Sequence, residues 1–373
     1  MKGVPFSVFM SDALYGDFGY YMTDRNRFGR RGDFYTSAQV SPVFGRLLAL
    51  QILREAPSGE PLSLVEIGCG DGDLAVALLQ GLASFSEENR RIRYAAIDRS
   101  QVSLTRTRER LTAFSAQCAD CRVEWSTFAS MEALLAYDLT FRGAFLIGNE
   151  VLDALPCELI NVDLARISDL SATAASRAVR EGRMIENQRI DGTPLEIAYT
   201  GEPCREASVY AKSFVSPLVR SGHLPKAGVH HVEVPIAYRS FLQSIANTLS
   251  PREMILLDYG GETADVIAAD RPRGSLRGYQ HHRLVDPLSS PGDVDITYDV
   301  DFSYVREILE EVGYVVDPLT RQGSYLMGII SRANATQHVV SESEYGALKH
   351  LVMPGGLGDR FVVCVAHRDK EAV

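Results

Sequence analysis

The stretch "VEIGCGDGDLAVALL", residues 65–79, decides the fold. It joins an apolar run typical of a buried strand to a glycine-rich turn and then to apolar residues at helical spacing. Glycines 68, 70 and 72 form G-x-G-x-G. Asp73 stands one place later, where the pattern G-x-G-x-x-G has its third glycine. The dinucleotide-binding fingerprint needs that later glycine, because the helix start must meet a pyrophosphate. The stretch therefore predicts a strand, turn and helix that do not favour a nicotinamide cofactor.

The rest of the chain repeats this alternation of strands and helices. Apolar runs predict strands at residues 62–68, 92–98, 121–126, 143–149, 253–259, 314–320 and 360–367. Between them, "GDLAVALLQGLASF", "SQVSLTRTRERLTAF", "YRSFLQSIANTL" and "DFSYVREILEEVG" carry apolar residues three to four apart. The pattern predicts an α/β fold with a parallel, doubly wound sheet. Residues 323–330 fit a strand or a helix equally.

Two regions interrupt the alternation and define the predicted domains. Residues 1–60 precede the sheet and are interpreted as an amino-terminal cap or lid. Residues 161–230 contain short segments typical of antiparallel strands, which predict a β-rich, substrate-facing insertion. Residues 61–160 and 231–373 then form the ligand-binding core.

Composition excludes several classes of protein. The 373 residues are 46% hydrophobic and carry a formal net charge of −10, which disfavours a nucleic-acid binder because such proteins need a basic surface. No apolar run approaches the roughly 20 residues that span a bilayer, and the first residues lack a signal-peptide pattern. We expect a cytoplasmic protein without a membrane span. The oligomeric state stays open, with a homodimer as one alternative.

The cysteines and histidines do not predict a metal centre. Six cysteines without a secretion signal indicate free thiols in a reducing compartment. Cys118 and Cys121 form a CxxC pair, for which a zinc or redox role is the alternative, but a zinc site needs four ligands. No histidine pair has metal-binding spacing.

Acidic residues end the first two predicted strands. Glu66 stands before the glycines, where a carboxylate repels a phosphate but suits an amino group. Asp98 ends the next strand and can accept both hydroxyls of a ribose. S-adenosylmethionine carries both an amino group and a ribose, and side-chain-free Gly68, Gly70 and Gly72 would let it lie against the backbone. The alternative is a tight turn without a ligand.

The fourth predicted strand ends in the polar residues Asn149, Glu150 and Asp153. In open α/β sheets ligands bind beyond the carboxyl ends of the strands, so these side chains indicate chemistry. The alternative is a strand end followed by an N-capped turn. Asp258 and Tyr259 end the fifth strand and are interpreted as closing an acceptor pocket, or as an ordinary turn.

The chain resembles the MidA-like family of S-adenosylmethionine-dependent methyltransferases over nearly its whole length. The resemblance is carried by the motifs "FGRRGDFYTSAQVSPVFG", "VEIGCGDGDL", "GNEVLDALPCELI", "ILLDYGG", "GSLRGYQHHRLVDPLSSPGDVDITYDVDF" and "MPGGLGDRFVV". The glycine turn is shared by a whole superfamily, whereas the long "GSLRGYQHH" block is specific to this family. Cys69 stands where the family commonly has proline and Asp98 where it often has glutamate. The chain also begins close to the family's amino-terminal motif, so the true start of the protein stays open.

The resemblance implies a class I methyltransferase fold, Rossmann-like, with an amino-terminal cap and an inserted subdomain. It implies that Glu150 and Asp153 orient the acceptor, that His282 accepts the released proton, and that Thr36, Ser37 and Asn149 contact the cofactor. A mitochondrial relative in this family is a complex I assembly factor that methylates an arginine, so the implied substrate is a protein, such as a respiratory complex subunit. The alternatives are a methyltransferase for a small molecule or another residue, and a cofactor-binding assembly chaperone.

Overall fold

The computed structural model describes residues 3–24, 37–86, 90–118, 122–167, 175–180, 184–185, 188–189, 195–333 and 340–368. Its strands are, in chain order, β1 (Val4–Pro5), β2 (Leu62–Ile67), β3 (Ile92–Ile97), β4 (Val123–Phe128), β5 (Phe145–Asn149), β6 (Glu158–Asp163), β7 (Ala175–Arg180), β8 (Met184–Ile185), β9 (Gln188–Arg189), β10 (Glu196–Gly201), β11 (Val229–Val234), β12 (Glu253–Gly261), β13 (Arg277–Gln280), β14 (Arg283–Val285), β15 (Asp295–Thr297), β16 (Val300–Asp301), β17 (Tyr314–Val316), β18 (Thr320–Arg321) and β19 (Phe361–Arg368).

The helices occupy most of the stretches between these strands. They are α1 (Phe6–Tyr15), α2 (Ser37–Val40), α3 (Pro42–Glu55), α4 (Asp73–Phe85), α5 (Gln101–Gln117), α6 (Met131–Tyr137), α7 (Leu164–Ile167), α8 (Arg205–Tyr210), α9 (Ser216–Ser221), α10 (Ile236–Thr248), α11 (Thr263–Val266), α12 (Phe302–Glu311), α13 (Gln322–Arg332) and α14 (Tyr345–Val352). The four helices predicted from periodicity are confirmed as α4, α5, α10 and α12. Residues 323–330, which fitted either element, lie in α13. Within the described ranges, no helix is long and apolar enough to cross a membrane.

The central sheet is doubly wound, as predicted. Its strands lie in the order β17-β19-β12-β5-β2-β3-β4, with β2, β3, β4, β5 and β12 parallel. The chain builds outward from β2 to β4, then returns to the other side of β2 to place β5. Such a reversal opens a crevice between the carboxyl ends of the two strands it separates. The topology therefore locates a binding crevice between β2 and β5.

The expectation of a wholly parallel sheet is wrong at the carboxyl-terminal edge. Strand β19 runs antiparallel to both β12 and β17. The predicted strand at 314–320 is also interrupted, because it comprises β17 and, after a gap that contains Pro318, the short β18. Proline has no backbone N–H to donate to a sheet ladder, which explains the break. Strand direction depends on the preceding connection and is not encoded in a strand's own pattern.

Both faces of the sheet are covered. Along β2, Leu62 and Leu64 pack into one apolar cluster, while Val65 and Ile67 pack into the other. This period of two is the alternation of side chains along a strand, and burial on both faces explains the continuous apolar run. Each fully buried side chain of this size contributes roughly 1.5–3 kcal/mol. The sheet therefore separates two hydrophobic cores, one on each of its faces.

The predicted cap, residues 1–60, divides between two parts of the structure. Helix α1 packs against β6 and β7, whereas α3 packs closely against α4 of the core. Close approach of α3 and α4 depends on Gly45, because a Cβ there would lie 2.5 Å from Ala77 Cβ and 2.9 Å from Leu78 N. Helix α3 therefore belongs to a helical layer of the sheet.

The inserted region forms an antiparallel sheet of its own. Strands β1, β7, β6 and β11 lie side by side, and β10 pairs with β7. This sheet reaches beyond the predicted bounds of 161–230, since it recruits Val4–Pro5 from the amino terminus and ends with Val229–Val234. Part of the predicted strand region near residues 181–194 lies outside the described residues. The amino-terminal segment and the insertion thus share one structural unit.

The cysteines differ in their covalent state. Cys69, Cys157 and Cys364 are buried free thiols, and Cys204 is an exposed one. Cys118 is disulfide-bonded, so the expectation of free thiols throughout is wrong for this residue. Cys121 lies outside the described residues.

A glycine-to-alanine pair tests the packing of α3 on α4. Gly45→Ala is expected to lower the free energy of unfolding by about 1–3 kcal/mol, because backbone atoms of α4 cannot move away from the added methyl. Gly346→Ala in α14 is the matched control, since a Cβ there meets nothing within 4 Å. The control is expected to be neutral or slightly stabilising. Urea denaturation of both variants measures the difference, and equal stabilities would contradict the packing.

Candidate active site

A cavity of about 630 Å³ occupies the crevice between β2 and β5. It is lined by the residues that follow β2, β3 and β5, together with parts of β12, the β13–β15 sheet and the amino-terminal segment. The acidic residues on its wall are Glu66, Asp71, Asp73, Asp98, Glu132, Glu150, Asp153 and Asp295. The arginines on its wall are Arg99 and Arg360. Because acids outnumber arginines, the cavity favours a cationic occupant.

The glycine turn after β2 adopts a backbone conformation that demands glycine. Gly68, Gly70 and Gly72 have φ values of 71°, 52° and 84°, in the left-handed region. Space is also restricted, since a Cβ on Gly68 would lie 2.5 Å from Val151 Cγ2, and one on Gly72 would lie 2.9 Å from Thr107 Oγ1. The turn therefore presents bare backbone to the cavity.

Glu66 lies on the cavity wall at the end of β2 and is 2% exposed. The hydroxyl of Tyr94, on the neighbouring strand β3, donates a hydrogen bond to Oε2 of Glu66. Burial raises the pKa of Glu66 to about 8, and the Tyr94 hydrogen bond opposes part of that rise. A cationic ligand beside this carboxyl would favour its ionised form.

Asp98 connects the end of β3 to the glycine turn. Its Oδ2 accepts the N–H of Gly70 at 2.9 Å, and its Oδ1 accepts the N–H of Ser100, the N-cap of α5, at 2.8 Å. A carboxylate offers about four lone-pair sites, so both oxygens can still accept ribose hydroxyls. Asp98 is therefore placed to hold the turn and to receive a ligand at once.

The two acids within the glycine turn are neutralised by arginines of α5. Arg106 donates to Asp71 at 2.8 Å and to Asp24 of the amino-terminal segment at 2.6 Å. Arg110 pairs with Asp73 at the start of α4. Asp71 and Asp73 therefore have cationic partners within the protein itself.

Glu150 follows β5 and lies on the cavity wall. Its Oε1 accepts the backbone N–H of Ser37 at 3.2 Å and the Nδ2–H of Asn149 at 3.0 Å. Burial, reinforced by the nearby Asp153, raises the pKa of Glu150 to about 8. Ser37 is buried, and its hydroxyl donates to Gln322 at 2.9 Å, while Thr36 lies outside the described residues.

An unsatisfied amide oxygen supports the fit of an amino-group ligand. Within the part of the chain that the structure describes, the buried Oδ1 of Asn149 accepts no hydrogen bond. Leaving such an acceptor unpaired costs roughly 1–3 kcal/mol. The amino group of S-adenosylmethionine would provide a donor to Asn149 and a positive charge beside Glu66, while the bare turn at Gly68 and the carboxylate of Asp98 suit its other groups. The residues present therefore fit the cofactor expected from the sequence.

Asp153 lies on the wall of the same cavity and is 9% exposed. The hydroxyl of Thr297 donates to its Oδ2 at 2.7 Å. Burial raises the pKa of Asp153, whereas the hydrogen bond from Thr297 and the charge of Arg277 oppose the rise. Arg277 itself donates to Asp299 at 2.5 Å. The structure thus brings Glu150 and Asp153 to one wall.

Sequence reasoning missed several residues on the acceptor side. Tyr15, Tyr21 and Tyr279 line the cavity together with Asp295, which is 5% exposed. The hydroxyl of Tyr21 donates to Asp295 at 2.7 Å, and the rings of Tyr15 and Tyr21 stack at 5.6 Å. Asp295 lies in the "GDVDITYDVDF" stretch of the long family motif, and that motif is the signal in the sequence that could have identified it. Tyr279 lies in the same motif, whereas Tyr15 and Tyr21 come from a distant part of the chain.

His282 is not brought together with the other predicted residues. It forms the turn between β13 and β14 with His281, where both have positive φ, and its side chain is exposed. The cavity lining includes neither histidine. Among the described residues, no group of three or more His, Cys, Asp or Glu is arranged to hold a metal ion.

Comparisons with known proteins agree with this geometry. The sequence model of a family described as "Putative S-adenosyl-L-methionine-dependent methyltransferase" matches residues 47–319. The mitochondrial protein arginine methyltransferase NDUFAF7 homolog of Drosophila melanogaster is 28% identical over 408 residues, covering 99% of this chain and 84% of the relative. Its counterpart in Xenopus tropicalis is 28% identical over 334 residues, covering 81% of this chain and 66% of the relative.

A solved structure is similar as well. A protein from Burkholderia thailandensis, crystallised bound to S-adenosyl-homocysteine, superposes with a TM-score of 0.76 and 25% sequence identity. The match covers 98% of this chain and 88% of the other.

The affinity for S-adenosyl-homocysteine is expected to rise with pH from about pH 6 to about pH 8. In the free protein Glu66 is protonated below a pKa of about 8, and only its ionised form pairs with the ligand's ammonium group. The affinity contributed by Glu66 is therefore lost as pH falls, by up to about tenfold per pH unit. Calorimetry across this range measures the effect. Glu66→Gln should bind more weakly and without this dependence, whereas a flat profile in the unaltered protein would exclude the pairing.

Proposed function

This chain belongs to the family of S-adenosyl-L-methionine-dependent methyltransferases, and we propose that it transfers the methyl group to an arginine side chain of a protein. The observation that carries the proposal is the acidic acceptor wall formed by Glu150, Asp153 and Asp295. The names of the two relatives reported above, both protein arginine methyltransferases, support it further.

The acceptor wall suits a guanidinium group. Arginine stays protonated at any physiological pH, since its pKa exceeds about 12, and its planar fork matches carboxylates. Tyr279, which also lines the cavity, is an aromatic side chain that can contact such a cation favourably, whereas Arg277 and Arg99 already lie over the rings of Tyr259 and Tyr15 at 5.7 and 4.8 Å. Burial raises the pKa of both Glu150 and Asp153, so a neutral acceptor would leave these groups in their protonated form, whereas a guanidinium favours their ionised form.

Glu150 and Asp153 are the residues to which we assign the chemistry. When bound, S-adenosyl-L-methionine supplies an electrophilic methyl group and departs as S-adenosyl-homocysteine. The two carboxylates hold two guanidinium nitrogens, so that the acceptor nitrogen is oriented for in-line attack, which can supply up to roughly 7–11 kcal/mol of the barrier. The acceptor nitrogen loses one proton as its bond to carbon forms. Glu150 accepts that proton, because burial raises its pKa to about 8 and so favours the protonated form.

The protein substrate and the place of action are proposed from the family resemblance. We propose a subunit of a respiratory complex as the substrate and the cytoplasm as the compartment. The alternatives are a small-molecule or other-residue methyltransferase and a cofactor-binding assembly chaperone, for which the retained carboxylates would have no chemical use.

Transfer of a labelled methyl group tests the function directly. The purified protein is incubated with labelled S-adenosyl-L-methionine and lysate from cells lacking it, and labelled peptides are identified by mass spectrometry. Label on arginine of a protein supports the proposal. Label on a small molecule or on another residue selects the first alternative, and S-adenosyl-homocysteine binding without any transfer selects the chaperone.

Replacing each acceptor carboxylate by its amide tests the assigned roles. Glu150→Gln and Asp153→Asn keep the shape and remove the charge, so kcat is expected to fall about a hundredfold, on the order of 3 kcal/mol. The affinity for S-adenosyl-homocysteine should change little. Glu233→Gln, at a buried glutamate that hydrogen-bonds Ser275 away from the cavity, is the matched control and should retain wild-type kcat.

Loss of cofactor binding in Glu150→Gln, with normal turnover at saturating cofactor, would give a different assignment. Glu150 would then belong to the cofactor site, and the proton acceptor would be Asp153.

A further inference from the structure

Asp258, within β12, is fully buried and accepts hydrogen bonds from four backbone N–H groups. Its Oδ2 accepts from Val151, Leu152 and Asp153 at 3.1, 2.9 and 3.2 Å, and its Oδ1 accepts from Tyr259 at 2.9 Å. Successive backbone amides that converge on one anion form a nest, which binds carboxylates well. We call these four bonds the Asp258 clamp.

The clamp holds the turn that carries the acceptor-side acids. Glu150, immediately before the clamped residues, has a φ of 55°, which is rare for a residue with a side chain. The left-handed conformation costs roughly 1–2 kcal/mol, so the surroundings must impose it. The N–H of Glu150 donates to Leu257 O at 2.8 Å, adjacent to Asp258. Strand β12 therefore fixes the turn from Glu150 to Asp153.

The clamp also reaches the cofactor side through Val151. The Val151 side chain fills the space beside Gly68, where a Cβ would lie only 2.5 Å from its Cγ2. Because the Val151 N–H is clamped, the backbone of Val151 cannot withdraw from the glycine turn without breaking a buried hydrogen bond. The Asp258 clamp thus fixes the position of Glu150 and Asp153 relative to the glycine turn.

We propose that Asp258 is the positioning residue of the acceptor site, acting through Glu150 and Asp153 and making no contact with either reactant. The inference rests on the proposed roles of those two acids. Orientation within a fraction of an ångström governs such reactions, and groups that support reactive side chains from behind determine it. A carboxylate is needed at residue 258 because an amide would turn an N–H₂ donor toward backbone donors.

Asp258→Asn is expected to lower kcat by at least about tenfold at saturating cofactor and acceptor, which corresponds to roughly 1.4 kcal/mol. The affinity for S-adenosyl-homocysteine is expected to stay within about threefold. Asp301→Asn is the matched control, because Asp301 is equally buried and caps α12 by accepting from Ser303 N at 3.0 Å, away from the cavity. Both variants should lose stability, but the control should retain wild-type kcat.

A double variant separates positioning from a general structural role. If Asp258 acts through Glu150 and Asp153, then Asp258→Asn combined with Glu150→Gln should lower kcat by less than the product of the two single losses, since residues that act as a unit are not additive. Fully multiplicative losses would overturn the inference. So would a folded Asp258→Asn variant with kcat within about twofold of wild type.

Hydrogen exchange keeps the inference testable should Asp258→Asn not fold. The amides of residues 151–153 lie outside helices and strands, yet the clamp predicts that they exchange as slowly as those of β5 in the unaltered protein. Fast exchange at these amides would overturn the clamp. The kinetic comparison uses the acceptor that the wild-type protein methylates. Label on a residue other than arginine would therefore refute the proposed function, while the role of Asp258 would still be measured with that acceptor.

Discussion

Carboxylates held in a poorly solvated crevice are the constraint on which the rest of this structure depends. Each buried ion costs several kcal/mol unless fixed donors compensate for lost water. The fold provides such donors from the ends of its strands: Asp258 receives backbone N–H groups of the turn after β5, and Asp98 receives one from the glycine turn. Glu66 receives the hydroxyl of Tyr94. The backbone around the crevice is therefore shaped by the carboxyl groups that it surrounds, and a cation in the cavity favours their ionised forms.

Much of the core could be predicted from the sequence because its signals are local. An apolar run bounded by glycines determines β2 and α4, and the period of α12 is visible within ten residues. The placement of Glu66, Asp98 and Glu150 on one cavity follows from a general property of parallel sheets, whose carboxyl ends share an edge. These residues line the same cavity, while the roles assigned to them stay predictions.

The remainder depends on contacts between distant parts of the chain. Tyr21 meets Asp295 across more than two hundred residues, and no periodicity encodes such a pairing. His282 was selected because histidines suit proton transfer, but a two-residue hairpin turn places it on the surface. The direction of β19 and the entry of Val4–Pro5 into the inserted sheet are likewise tertiary outcomes. The residues predicted from their type lie on the cavity only where the sheet topology also constrains their position.

The most direct test of the account is a crystal structure of the protein with S-adenosyl-homocysteine and an arginine-containing substrate peptide. The account predicts the cofactor product between the glycine turn and Asp98, with the guanidinium within about 3 Å of the carboxylates of Glu150 and Asp153. A guanidinium bound elsewhere, or a different side chain between those two carboxylates, would contradict it.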